Sequence, residues 1–267
     1  MHYLARPIAL SFLAGVLCLS NLAAIPTDGL TAYWSFNQDF TNSALASGNQ
    51  TPSDPSHLDL LTTGNTQIDS EGLVGSAASF DGVGDFLEIG GGPLNQRKVV
   101  EDDPFGGATI SVWFKVDSAP SGSTRFMIFE TSPTYALSLG LREDPDDTTL
   151  TRIQAFTETT SAGFLNVVIP IPDSVLVGNW VHAVITLSDT GLTLHAQATT
   201  ETVALIGNVR PFDDFHIGTY RDADNRFLDG LIDELAIWDR VLSAGEIEDL
   251  AVPNVVVDTD ADEDDGS

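Results

Sequence analysis

The sequence predicts an all-β domain of two packed antiparallel sheets with one short C-terminal helix. Three observations carry this. Short runs of alternating apolar and polar residues recur along the chain, punctuated by Gly, Asp, Asn and Ser. Nowhere does a strand alternate with a long helical pattern, as a parallel sheet requires. The clear helix start, Ser243-Ala244-Gly245-Glu246, follows the last strand directly. It reads as a capping box, in which the Ser hydroxyl and the Glu carboxylate each satisfy a free backbone N–H.

The elements follow in order. Gly29 to Phe36 reads as the first strand, and Asn37 to Glu71, rich in Ser, Thr, Asn, Gly and Pro, as a long loop. Gly75 to Gly82 and Asp85 to Ile89 form two strands around a Gly-Val-Gly turn, and Pro93 to Gly107 a second loop. In Ala108 to Val116 the residues Ile110, Val112 and Phe114 share one face, with Thr109, Ser111 and Trp113 on the other, so both faces need cover. Strands are then expected at Arg125 to Thr131, Tyr135 to Leu141, Thr149 to Phe156, Phe164 to Ile169, Val181 to Leu187, Leu192 to Ala198 and Glu201 to Ile206. Asp189-Thr190-Gly191 and Thr199-Thr200 read as hairpin turns. After the Asp229-Gly230 turn, alternation puts Leu231, Asp233, Leu235 and Ile237 on one side of the last strand. Trp34, Trp113, Trp180 and Trp238 all fall within strands and are expected in the core.

The ends differ from the body. Residues 1–24 read as a secretory signal: Arg6, an apolar run from Ile8 to Leu19, then small residues up to Ala23-Ala24. Cys18 lies inside that run and would leave with it, so no disulfide is expected. Residues 253–267 carry six acids in the last ten positions and read as a disordered acidic tail. They lack the glycine and glutamate spacing of a calcium loop. This leaves 25–252 as one domain, placed outside the cell or in the periplasm, with no transmembrane segment. The chain holds 39 acidic and 11 basic residues, a net charge of −28. That balance argues against nucleic-acid or anionic-membrane partners, which require basic patches.

Catalytic chemistry is not visible, and no catalytic residue is assigned. Asp233 and Glu234 are adjacent, so they point to opposite faces and cannot form the paired carboxylates of a retaining glycosidase. The five histidines show no zinc spacing, and no nucleophile elbow occurs. His182, two residues after Trp180, is expected to pack and hydrogen-bond.

Five pieces together resemble one family. They are Gly29-Leu-Thr-Ala-Tyr-Trp-Ser-Phe36, Gly75-Ser-Ala-Ala-Ser-Phe-Asp-Gly82 followed by Asp85-Phe-Leu-Glu-Ile89, Ala108-Thr-Ile-Ser-Val-Trp-Phe-Lys-Val116, Gly178-Asn-Trp-Val-His-Ala-Val184, and the ending Gly230-Leu-Ile-Asp-Glu-Leu-Ala-Ile-Trp-Asp-Arg-Val-Leu-Ser-Ala-Gly-Glu-Ile247. The pattern is similar to the laminin-G-like jelly-roll domains of the concanavalin A-like lectin/glucanase superfamily, over roughly Gly29 to Leu250. The resemblance implies a jelly-roll sandwich and a secreted binding or adhesion module for a glycan or an extracellular protein ligand. It also implies calcium, with Asp233, Asp81, Asp85 and Asn42 as the candidate ligands. The alternatives are a divergent polysaccharide-acting enzyme or a structural surface protein. For the ligand, the polar loop with aromatic edges is the expected rim: Tyr220, Arg221, Asp224, Asn225 and Phe227.

Overall fold

The computed structural model describes residues 25–44, 59–90, 107–134, 136–210 and 214–252. The expected signal segment, Cys18, the acidic tail and most of the second long loop lie outside them.

Among the described residues fifteen strands build two antiparallel sheets. In chain order they are β1 (Leu30–Trp34), β2 (Leu61–Thr63), β3 (Gln67–Asp69), β4 (Ala77–Asp81), β5 (Phe86–Gly90), β6 (Ala108–Val116), β7 (Arg125–Ser132) and β8 (Ser138–Glu143). There follow β9 (Leu150–Thr159), β10 (Gly163–Pro172), β11 (Val181–Leu187), β12 (Gly191–Ala196), β13 (Thr199–Ala204), β14 (Asp214–Ile217) and β15 (Asp229–Trp238). The eight-stranded sheet runs β13-β12-β11-β6-β15-β4-β3, with β1 also paired to β15. The seven-stranded sheet runs β10-β9-β8-β7-β14-β5-β2. This is the expected sandwich, and the helices α1 (Asp173–Leu176) and α2 (Ala244–Leu250) are both short.

The core lies between the sheets. Trp34, Phe36, Phe114, Phe129 and Phe215 are fully buried there, and Phe129 stacks on Phe215 at 5.1 Å. Side chains of this size each contribute about 1.5–3 kcal/mol on burial. A smaller cluster forms on the outer face of the eight-stranded sheet, where Leu30, Val184, Trp238, Leu242 and Ile247 pack under α2. That helix starts with the expected capping box on Ser243 and Glu246. Arg240 forks onto the Glu246 carboxylate, which this contact and the cap hold down at about 2.

Three expectations are corrected. The β12–β13 hairpin turns at Gln197-Ala198, both at positive φ, whereas Thr199 and Thr200 already pair in β13. The long loop before Glu71 contains two short edge strands, β2 and β3, and β14 is an additional central strand. In β15 a bulge interrupts the register between Asp233 and Ala236, with Glu234 at φ 51°. Alternation therefore changes phase: Ile232, Leu235 and Ile237 face the core, while Asp233 pairs with Trp113 on the opposite face. Gly230, just upstream, has φ 150°, and a Cβ there would lie 2.1 Å from the Lys115 carbonyl. Only glycine lets β15 approach β6 so closely.

Candidate ligand site on the outer face of the seven-stranded sheet

The register of the seven-stranded sheet aligns one row of polar residues across six strands. Glu88 pairs with His216, His216 with Glu130, Glu130 with Ser138, Ser138 with Phe156, and Phe156 with Asn166. The neighbouring residues Phe129, Leu139 and Ala155 face the core, so this row looks outward. Beside it run Met127, Gly140 and Gln154, and then Arg125, Arg142 and Arg152. Part of this surface forms a pocket of about 210 Å³, lined by Glu130, Arg142, Gln154, Phe156, Asn166 and Arg226, with Phe164 at its edge.

Gly140 keeps the floor open. A Cβ there would stand 2.8 Å from Met127 Sδ and 3.0 Å from the Phe126 carbonyl. Phe164 is 58% exposed, an apolar surface left in water beside amides and guanidinium groups.

Polar groups of this row and of the pocket are under-satisfied. Both carboxyl oxygens of Glu130, Ser138 Oγ, Arg142 Nε and His216 Nδ1 are buried and make no hydrogen bond among the described residues. Such groups cost about 1–3 kcal/mol each when left unpaired, and they concentrate where a ligand can satisfy them. Burial pushes the Glu130 carboxyl up to about 8, against the opposing pull of Arg226 and Arg221. His216 Nε2 lies 3.7 Å from the Glu88 carboxylate, and its ring meets Phe86 edge-on at 5.9 Å.

The expected rim loop folds beside this pocket. Tyr220 lies beneath two guanidinium groups, those of Arg221 at 5.0 Å and Arg226 at 4.1 Å. The loop is closed by Tyr220 N–H donating to the Asn225 carbonyl and Ala223 N–H to that of Tyr220. Asp224 and Asn225 are exposed and bonded to each other, and Phe227 is half-buried. The loop residue that lines the pocket is Arg226, whose carbonyl accepts from Met127 N–H at 3.0 Å. Sequence reading missed Arg226 and the strand residues. One signal was present: Glu130 ends the apolar run Phe126-Met-Ile-Phe129, the same pattern of a carboxylate on an apolar strand that marks Asp233.

The calcium candidates each accept hydrogen bonds from backbone N–H groups. Asp233 is fully buried, with Oδ2 accepting from Val74 N–H at 3.0 Å and Oδ1 from its neighbour Glu234 N–H at 2.8 Å. Burial still raises its carboxyl to about 7. Asp85 accepts from Asn65 and Asp81 N–H, Asp81 from Val83 N–H, and Asn42 Oδ1 from Tyr33 and Ala44 N–H. Among the described residues no three carboxylates or imidazoles gather as a metal-holding group.

A second concavity of about 620 Å³ lies on the outer face of the eight-stranded sheet, bounded by Trp113, Trp180, His182, His195 and the helix α2. Trp34 and Trp238 are fully buried as expected. Trp113 and Trp180 are only partly so: Trp113 looks outward from β6, and Trp180, expected in a strand, lies just before β11, both beside α2. His182 does pack and hydrogen-bond, stacking on Trp113 at 4.7 Å with its Nε2 2.8 Å from Ser111 Oγ. Burial lowers its pKa to about 4.

Among the described residues no helix is long and apolar enough to cross a membrane. No curated protein matches the chain significantly. Solved structures do. Domain 4 of AbnA, a GH43 extracellular arabinanase from Geobacillus stearothermophilus, in complex with arabinotriose, is similar over 84% of this chain and 98% of that domain, at 20% identity and TM-score 0.55. The binding domain of botulinum neurotoxin DC in complex with SialylT is similar over 84% of this chain at 9% identity and TM-score 0.59. The chain spans 52% of that domain's length. At these identities the likeness is one of fold. A family model described as concanavalin A-like lectin/glucanases superfamily (Laminin_G_3) matches residues 90–248, more than half of the sequence. The sandwich, its closing strand and this match agree: the chain belongs to the concanavalin A-like lectin/glucanases superfamily.

Proposed function

We propose that the protein is an exported, non-catalytic saccharide-binding module, and that its site is the pocket over β7, β8, β9 and β10. The observation that carries this is the pair of buried, unpaired groups that line the pocket: the Glu130 carboxyl and Arg142 Nε. A saccharide offers hydroxyls of both senses and an apolar CH face. Gln154, Asn166 and the floor groups would meet the hydroxyls, and Phe164 the CH face. At about 210 Å³ the pocket is smaller than the roughly 300 Å³ of a typical ligand cleft, so it takes one sugar unit with the rest of the chain across the open sheet. Two structural relatives described in complex with arabinotriose and SialylT support this reading of the fold.

An oligosaccharide array probed with wild type and Phe164→Ala tests it. The exposed phenyl ring contributes little to folding. The variant is expected to melt with wild type yet bind its best saccharide about tenfold more weakly, a loss of about 1.4 kcal/mol. Unchanged array signals would overturn the site.

A hydrolytic reading draws on one observation, the buried Glu130 carboxyl near 8, which suits a general acid. Its nearest carboxylate in the row, Glu88, is two strands away, about 10 Å between Cα atoms at ordinary strand spacing. That exceeds the separation in retaining enzymes. Release of reducing ends from a bound saccharide would favour that reading.

A further inference from the structure

We propose a narrower ligand class, which rests on the saccharide-binding reading above: an acidic saccharide, its carboxylate or sulfate gripped by Arg142 and Arg226. Acids outnumber bases 39 to 11, so an arginine on this protein meets a carboxylate by default. Lys115, Arg152, Arg210, Arg221 and Arg240 each do, at 3.7, 2.7, 2.8, 3.9 and 2.5 Å. Arg142 and Arg226 form no such pair among the described residues, and both line the same pocket.

The second observation is the row Arg125–Arg142–Arg152, three guanidinium groups directly opposite one another on adjacent strands. Like charges in that relation destabilise a sheet. Asp144 and Asp146 relieve Arg152 at the far side of the row. Arg142, in the middle of the row, keeps no carboxylate of its own among the described residues.

The third observation is directional. Arg142 Nε is buried without an acceptor. A guanidinium presents its N–H groups as a fixed fork that matches a carboxylate or sulfate in two parallel bonds. An anionic oxygen in the pocket would satisfy this donor; a neutral hydroxyl would do so more weakly. Glu130 does not cancel the charge at neutral pH, because burial keeps its proton on. The charged groups facing it are Arg226, Arg221 and Asp222, with His216 beside it on β14. A protonated Glu130 can also donate to the ligand anion. Once ionised, above about 8, it repels that anion.

Calorimetric titration of the full chain tests this with three probes: a galacturonic acid trimer, its methyl ester, and a sulfated galactose trimer. The free acid, the sulfate or both are expected to bind at least tenfold more tightly than the ester, and the two arms tell carboxylate from sulfate. Arg142→Gln and Arg226→Gln should each erase that preference, lowering affinity for the acid or sulfate at least tenfold and affinity for the ester by a smaller factor. Arg142→Lys should recover part of it, since charge returns without the fork. Affinity for the acid should fall at least tenfold between pH 7 and pH 9.5. Equal binding of acid and ester overturns the acidic preference and leaves the saccharide site standing. Binding of none of the three, together with an oligosaccharide array without signal, overturns both.

Discussion

Replacing Glu130 by Gln isolates the most unusual group in the molecule. The side chain is fully buried, both oxygens lack partners, and the carboxyl is held at about 8 against an ordinary 4.5. Between those pH values the native protein keeps a proton that the unfolded chain has released. Stability therefore falls as pH rises through that window, by about 1.4 kcal/mol per pH unit at full strength. The upper bound is roughly 5 kcal/mol, and local relaxation or water entry makes about 2–5 kcal/mol the expected range. Glutamine keeps the shape and cannot ionise, so the variant should match wild type near pH 4.5 and exceed it above pH 8. In a domain of this size 1 kcal/mol moves the midpoint by about 2–4 °C, so the curves should separate by roughly 4–20 °C. Asp233, raised to about 7, and His182, lowered to about 4, also make stability depend on pH. They are common to both proteins and cancel in the difference. The assay is a set of thermal melts from pH 4.5 to 9. Parallel curves for the two proteins would refute the buried, uncompensated carboxyl.

Three further outcomes are expected. Asp233→Asn should cost about 1–3 kcal/mol, because the amide cannot serve both the Val74 and Glu234 N–H groups without misplacing its own donor. Chelator should leave both proteins' melting points unchanged, and a chelator shift in wild type alone would restore Asp233 as a calcium ligand. Gly230→Ala should destabilise by at least about 1–3 kcal/mol, since the added methyl meets the Lys115 backbone. A denaturant midpoint equal to wild type would show that β15 can retreat from β6. N-terminal sequencing of exported protein should begin near Ile25, and a mature form starting at Met1 would contradict export by a cleaved signal.

The sandwich was legible because alternation and turn residues speak locally. Ile110, Val112 and Phe114 announce a core strand, and Ser243 with Glu246 a helix start, without knowledge of any partner. The bulge at Asp233-Glu234 was not, because a non-glycine residue at positive φ is imposed by packing, here with Tyr33 O–H donating to Glu234 at 2.8 Å. The edge strands β2 and β3 are three residues each, too short for a period to emerge. The site was least legible. Glu130, Arg142, Gln154, Asn166 and Arg226 come from four strands and a loop, and only the register brings them together. Composition hid them further, since a net charge of −28 directs attention to cations and acids and not to a few arginines left without acids.

Saccharide is expected to bind over Met127 and not against Trp113 and Trp180 on the opposite face. The chain has two methionines, Met1 and Met127, and Met127 lines the pocket. A protein labelled with 13C at the methionine methyls and 15N at the indoles therefore reports on both faces in one titration. A saccharide chosen from the array is expected to move the Met127 methyl resonance and to leave the Trp113 and Trp180 indole signals in place. Movement of those indoles with Met127 unchanged would contradict it and place the site on the eight-stranded sheet.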